Sequence, residues 1–142
     1  MTGRILKTAL AALMMVGAVA VAANAQTKKA SIGSVHLGSK VMADGKALAA
    51  GTYTLRVSDE MPAKVVGQTL DESRWIEFLQ GGQVKGRELA TVLSKDALKD
   101  MTRKSAAPAA GTAKVQALKG GDYVRVWVNA GGTQYLIHLS AH

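Results

Sequence analysis

The strand predicted at residues 122–129 carries side chains that could bind a ligand. Tyr123, Arg125 and Trp127 are spaced two residues apart, and side chains at this spacing project from the same face of a strand. Two aromatic rings beside a guanidinium suit stacking on a sugar and holding an acidic group. We therefore take Tyr123, Arg125 and Trp127 as a candidate binding face. A second interpretation stays open, in which Trp127 lies beneath residues 95–111 or both faces of the sheet are buried.

The three histidines do not have the spacing of a metal site. His138 and His142 would lie about 13 Å apart on a strand, too far to share one ion, and His36 is distant in sequence. The chain contains no cysteine, so thiolate ligands and disulfides are excluded. We predict no metal site and no cofactor.

Patterns typical of hydrolases and calcium loops are also missing. The sequence has serine, histidine and aspartate but no G-x-S-x-G motif. The carboxylate pairs Asp59-Glu60 and Asp71-Glu72 fall in predicted loops and lack the alternating oxygen ligands of a calcium loop. We predict no catalytic residues and expect that the protein is not an enzyme.

Short strands separated by turns dominate the rest of the chain. Strands are predicted from alternation at residues 31–42 with a bulge at Gly38, and at 52–58, 74–80, 83–94, 114–119, 122–129 and 133–140, with turns at an Asp-Gly pair and three Gly-Gly pairs. All six aromatic residues fall within these strands. The pattern predicts an all-β fold of about seven strands, an antiparallel β-sandwich, with a small β-barrel as the alternative.

Residues 95–113 interrupt this pattern. Asp96 is placed to cap a short helix in which Leu98 and Met101 are three residues apart. An Ala/Pro/Gly segment follows at residues 105–111, where the composition is typical of a flexible connection. We predict one mobile loop over residues 95–113.

The first 25 residues have the pattern of an export signal. Arg4 and Lys7 precede an apolar run of about 14 residues, and Ala23-Asn24-Ala25 supplies the small residues of a cleavage site. The run is short for a membrane span, which needs about 20 residues, so no transmembrane anchor is expected after cleavage. We predict a signal peptide at 1–25 and a single domain at 26–142, located in the periplasm or secreted by a bacterium.

The positive charge of the chain points to acidic partners. The formal net charge is +8, and without Arg4 and Lys7 sixteen basic residues would face ten acidic ones, for about +6. A basic surface attracts polyanions, and outside the cytoplasm these are acidic glycans, lipopolysaccharide and acidic lipids rather than nucleic acid. We expect an envelope protein or an acidic glycan as partner, and no nucleic acid.

The stretch at residues 48–57, L-A-A-G-T-Y-T-L-R-V, resembles the L-P-A-G-x-Y-x-[VL]-x-V signature of small bacterial secreted β-sandwich domains. These include transthyretin-like and carboxypeptidase regulatory-like domains. The similarity covers about a dozen residues, and Ala49 stands where the signature usually has proline. The resemblance implies a seven-strand sandwich with a structural or adhesive role.

Two functions follow as expectations. The first is an exported, non-enzymatic structural or binding module of the bacterial envelope, using the face of Tyr123, Arg125 and Trp127 or an exposed strand edge. The alternative is a periplasmic carrier that holds a small apolar or acidic ligand in a cavity of the sandwich or barrel. A carrier requires an apolar cavity inside the fold.

Overall fold

A computed structural model describes residues 30–63, 66 and 72–142. The predicted export signal at 1–25 lies outside the described residues, as does Asp71. The elements are β1 (Gly33–Leu37), β2 (Val41–Ala43), β3 (Lys46–Leu48), β4 (Gly51–Val57), β5 (Ser73–Gln80), β6 (Gln83–Val92), α1 (Lys95–Thr102), β7 (Thr112–Ala117), β8 (Tyr123–Asn129) and β9 (Gln134–Ser140).

The nine described strands belong to one sheet, which confirms the all-β prediction. Seven of them follow one another around the fold in the order β1, β4, β5, β6, β9, β8, β7, and each neighbouring pair in this series is antiparallel. The first and last members, β1 and β7, lie next to each other. The sheet is therefore a nearly closed barrel, the second of the two arrangements that the sequence left open.

Alternating residues of these strands fill the barrel with apolar side chains. Val126 and Val128 of β8 point inward beside Ile137 of β9, and all three are fully buried. The rings of Tyr53 and Phe78 meet edge to face in the same core, with centroids 6.2 Å apart. Side chains are expected to fill the interior of a barrel with so few strands.

The hairpin of β2 and β3 fills part of the wall between β6 and β9. Residues 31–42, predicted as one bulged strand, form two separate strands because the chain bends after β1. The predicted Asp-Gly turn is present: Asp44 and Gly45 both have positive φ, at 45° and 77°, as a tight hairpin requires. Leu48 packs so closely against Gly86 of β6 that a Cβ there would lie 2.9 Å from the Leu48 Cδ2 atom. The lack of a side chain at Gly86 therefore allows the hairpin to pack against β6.

The wall of the barrel is incomplete between β1 and β7. Within the described residues, β1 pairs only with β4 and β7 only with β8. The two strands approach closely at one end, where a Cβ on Gly33 would lie 3.3 Å from the Gly111 carbonyl oxygen. Val115 of β7 faces inward opposite Val126, yet its side chain is 40% exposed. The gap between β1 and β7 therefore widens toward the C-terminal end of β7.

The segment before β7 contains the short helix that the sequence predicts, but with a different cap. The Ser94 hydroxyl accepts a hydrogen bond from the Ala97 N–H at 3.1 Å, so Ser94 and not Asp96 is the N-cap. Asp96 lies one residue inside the helix, where its negative charge favours the positive end of the helix dipole. The mobility predicted for residues 95–113 stays a prediction.

Candidate functional site

Residues 95–111, which we call the strap, connect β6 to β7 and lie on the outer side of the sheet formed by β7, β8 and β9. Two outward side chains of the sheet hold it. The Lys114 ammonium donates to the Ser105 hydroxyl and to the Ala106 carbonyl oxygen, and the Asn129 amide donates to the Pro108 carbonyl oxygen at 2.9 Å. The outer surface of these three strands is therefore covered along part of its length, and we call it the strapped face.

The three candidate residues project from this strapped face, but their environments differ. Val124, Val126 and Val128 alternate with them and contact the core. Tyr123 is 52% exposed, Arg125 is half-buried and Trp127 has no exposed surface.

For Trp127, the structure matches the interpretation that places it beneath residues 95–111. Its indole N–H donates to the Gln134 side-chain oxygen at 2.7 Å. It lies opposite Lys114 on one neighbouring strand and Leu136 on the other. The ring is thus fixed by the sheet and covered by the strap.

A groove of about 210 Å³ lies between the strap and β8. Its walls combine apolar and charged side chains from both elements: Asp100, Met101, Lys104, Ser105, Arg125 and Trp127. Because Trp127 is fully buried at the bottom of the groove, a molecule entering it first meets Arg125, Lys104 and Met101. The groove is therefore amphipathic, and two of its charged groups are cations.

Arg125 is the most unusual charge of this groove because its hydrogen-bond partner is neutral. Its Nε and Nη2 atoms donate to the Gln116 side-chain oxygen at 3.0 and 2.6 Å. Among the described residues it forms no ion pair with a carboxylate, and the groove's own acid, Asp100, lies 3.5 Å from Arg103. A partly buried cation is normally paired with an anion. Arg125 is oriented by Gln116 while its charge remains uncompensated.

The charge of Arg125 also acts on the neighbouring strand. His138 lies opposite Arg125 in the β8–β9 register. Partial desolvation, with a further contribution from the positive charge of Arg125, lowers the pKa of His138 below its ordinary value. The protonated form of His138 is therefore disfavoured beside Arg125.

The other two histidines do not join a site with His138. The His36 ring lies 3.1 Å from the Thr52 hydroxyl across the β1–β4 pair, and His142 follows β9 at the end of the chain. Within the described ranges no three histidine or acidic side chains are grouped as a metal ion would need.

The sequence did not identify the residues that complete the groove. Met101 and Lys104 come from the strap, and Gln116 and Gln134 orient Arg125 and Trp127. Alternation indicates on which side of a strand a residue lies, but not which distant segment packs over it. The only signal for Met101 was its spacing in the predicted helix.

The outer surface of β4, β5 and β6, which we call the open face, carries the second tryptophan. The Arg87 guanidinium lies over the Trp75 ring, 4.3 Å from its centroid, and pairs with Glu60. The hydrogen bond from Arg87 to Glu60 raises the pKa of Arg87. Arg56 pairs with Glu77 at 2.9 Å on the same face. These two arginines, unlike Arg125, have carboxylate partners.

A second cavity of about 240 Å³ separates the β2–β3 hairpin from β6. Asp44, Lys46 and Arg87 contribute charges of both signs to its lining. The Asp44 N–H also donates to the Glu88 carboxylate at 2.7 Å. The half-buried cation of this cavity, Arg87, is paired with Glu60, and Lys46 is exposed to solvent, so the cavity differs from the groove at Arg125.

Comparison with known proteins returns no relative: no family model, curated protein or solved structure matches the chain. The described part of the chain contains no helix with the length and apolar character to cross a membrane.

Proposed function

We propose that this protein is an exported, non-enzymatic binding module of the bacterial envelope. Its ligand is an acidic glycan, and the groove beneath the strap is its binding site. The N-terminal pattern at residues 1–25 supports export, and the basic composition supports an acidic partner.

The observation that carries this proposal is the uncompensated charge of Arg125. Arg125 is half-buried, is held in place by Gln116 and has Lys104 as a second cation in the same groove. A carboxylate or phosphate could accept charge-assisted hydrogen bonds from a guanidinium oriented in this way. Met101 supplies the apolar surface that the ring of a sugar would contact.

The size of the groove limits how much of the ligand it takes. Sites for drug-sized molecules usually measure about 300–1,000 Å³, and this groove measures about 210 Å³. It therefore accommodates one acidic residue of a longer chain, whose remaining residues would extend over the surface near Tyr123.

The carrier function receives less support. Tyr53 and Phe78 occupy the interior together with the aliphatic residues of the core. Both cavities described above lie on the outside of the barrel. A ligand in the interior would have to displace these side chains.

The test is a calorimetric titration of the protein, purified from cells expressing the full chain, with oligogalacturonate and with a neutral oligosaccharide of equal length. We expect binding of the acidic oligosaccharide only. Arg125→Gln should weaken it by about tenfold or more, because a hydrogen bond to a charged group is worth about 1.5–3 kcal/mol.

The matched control is Lys85→Gln, which removes a positive charge from β6, outside the groove, where Lys85 bonds to Gln83. This variant should bind as the original protein does. Equal weakening by Arg125→Gln and Lys85→Gln would mean that the attraction is general rather than local, and would contradict the proposed site.

Export is tested separately by the mass of the purified protein and the compartment from which it is recovered. Cleavage after Ala25 predicts a mature chain that begins at Gln26, recovered from the periplasm or the medium. An intact N-terminus in the cytoplasmic fraction would contradict export.

A further inference from the structure

The burial of Trp127 comes from the strap and not from the core of the barrel. Its neighbours Val126 and Val128 point into the core, whereas Trp127 points away from it. It nevertheless has no exposed surface. A large aromatic ring on the outside of a small barrel is thus covered by the strap, which lines the same groove, together with its neighbours on β7 and β9.

The strap itself has little holding it in place. α1 has eight residues, none of them buried, and only Ala97, Leu98 and Met101 are half-buried. A helix this short is not stable in isolation. Beyond the helix, Ser105, Ala107 and Pro108 are only half-buried. The strap is bonded to the sheet there by the side chains of Lys114 and Asn129 and, at its last residue, by the Gly111 N–H to the Asn129 carbonyl oxygen. Water can replace the polar side-chain contacts. Segments with few buried apolar contacts are the ones that open most readily.

The two groups beneath the strap would keep their orientation if it moved. The indole N–H of Trp127 is bonded to Gln134 and the guanidinium of Arg125 to Gln116. Gln134 and Gln116 belong to β9 and β7, so neither bond depends on the strap. A ring and a cation two residues apart on one strand would thus be exposed together and already oriented, which lowers the entropic cost of binding.

We propose that the strap is a displaceable cover and that an acidic sugar binds by lifting it and stacking on Trp127, with its anionic group on Arg125. This inference rests on the proposed function and adds the route by which the ligand reaches the ring. The closed form is the resting state. The anionic group reaches Arg125 in either form, but the ring of the sugar moves from Met101 to Trp127 only in the open fraction. The apparent affinity is then reduced by that fraction, and loosening the strap strengthens binding.

The test uses Trp75→Phe, which leaves Trp127 as the only tryptophan, and measures acrylamide quenching of its fluorescence. Lys114→Met removes the strap's ammonium contact and keeps most of the apolar stem, and Ser94→Ala removes the cap of α1. In both variants we expect quenching of Trp127 to increase severalfold and the affinity for oligogalacturonate to rise severalfold. Lys85→Met, outside the strapped face, is the control and should change neither quantity.

Two results would overturn the inference. In the first, quenching stays at the original level in both loosened variants while circular dichroism shows an intact fold. In the second, quenching increases but affinity falls or stays constant. If oligogalacturonate binds to none of the proteins, the proposed function fails and this inference fails with it, an outcome distinct from binding that is intact but insensitive to the strap.

Discussion

The two tryptophans of this protein both lie on the outside of the barrel, but they differ in burial and in the pairing of the cation beside each ring. Trp75 on the open face is half-buried and covered by Arg87, whose charge is matched by Glu60. Trp127 on the strapped face is fully buried beneath residues 95–111, and the cation beside it, Arg125, has a neutral partner.

The two faces therefore differ in how their charges are paired. On the open face, the two cations described above are paired with carboxylates, Arg87 with Glu60 and Arg56 with Glu77. On the strapped face a separate segment covers the ring, and two half-buried cations, Arg125 and Lys114, have only neutral hydrogen-bond partners among the described residues. This difference is the basis for proposing the strapped face as the binding site.

The largest expected effect is the difference in unfolding free energy lost when each of the two tryptophans is replaced by alanine. Trp127→Ala should lower the free energy of unfolding by about 3–5 kcal/mol, as for other fully buried large side chains. Trp75→Ala should cost about 1–2 kcal/mol because part of the ring already contacts water. Urea denaturation of the two variants measures both values. Equal costs would show that the strap does not pack on Trp127 as described.

A smaller effect is expected at the start of the strap. Ser94→Ala removes the N-cap of α1 and should cost about 1 kcal/mol, with a red shift in the emission of Trp127 as the helix frays. Asp96→Ala is the matched variant, since the sequence alone pointed to Asp96 as the cap. It should cost less, because it loses only a favourable interaction with the helix dipole. A larger loss for Asp96→Ala would assign the cap to that residue.

On the open face, Arg87→Gln should lower the melting temperature slightly and change the emission of Trp75. Both Arg87 and Glu60 are accessible to solvent, so salt screens their attraction. The difference between the variant and the original protein should shrink as salt rises from low to about 1 M. A difference independent of salt would indicate that Arg87 acts by packing on the ring rather than by charge.

The smallest effect concerns pH and His138. Its pKa is lowered in the folded state by desolvation and by Arg125, so protonation favours the unfolded chain. The stability contributed by neutral His138 is complete above its ordinary pKa of 6.5 and is lost as the pH falls through the lower pKa of the folded protein. Melting temperatures from pH 8 to pH 5 should therefore fall more in the original protein than in His138→Gln. If the melting temperature falls more steeply in His138→Gln than in the original protein, folding does not lower the pKa of His138, and this prediction is contradicted.

The sequence was a good guide to elements and faces. Alternation in β8 and β9 correctly separated Val126 and Ile137 from Arg125 and Trp127, and the Asp44-Gly45 turn was located correctly. These features depend on neighbours in the chain or on the period of a strand. They can be recognised without knowledge of the fold.

The sequence was a poor guide to what covers a face. The strap is held against β7 and β8 by contacts such as Lys114 with Ser105 and Asn129 with Pro108, and no periodic pattern marks these pairs. For the same reason the choice between sandwich and barrel stayed open, because it depends on whether β1 meets β7. The cap of α1 was misplaced because Ser94 and Asp96 are both favoured N-cap residues.

The most direct test of the account is an NMR titration that follows the two indole N–H signals of the ¹⁵N-labelled protein as oligogalacturonate is added. Trp75 and Trp127 each give one signal, so the two faces are compared in a single sample. We predict that the signal of Trp127 shifts and that of Trp75 does not, and that Arg125→Gln needs about tenfold or more oligosaccharide for the same shift. A shift of Trp75 alone, or of neither signal at saturating oligosaccharide, would contradict the assignment of the strapped face as the binding site.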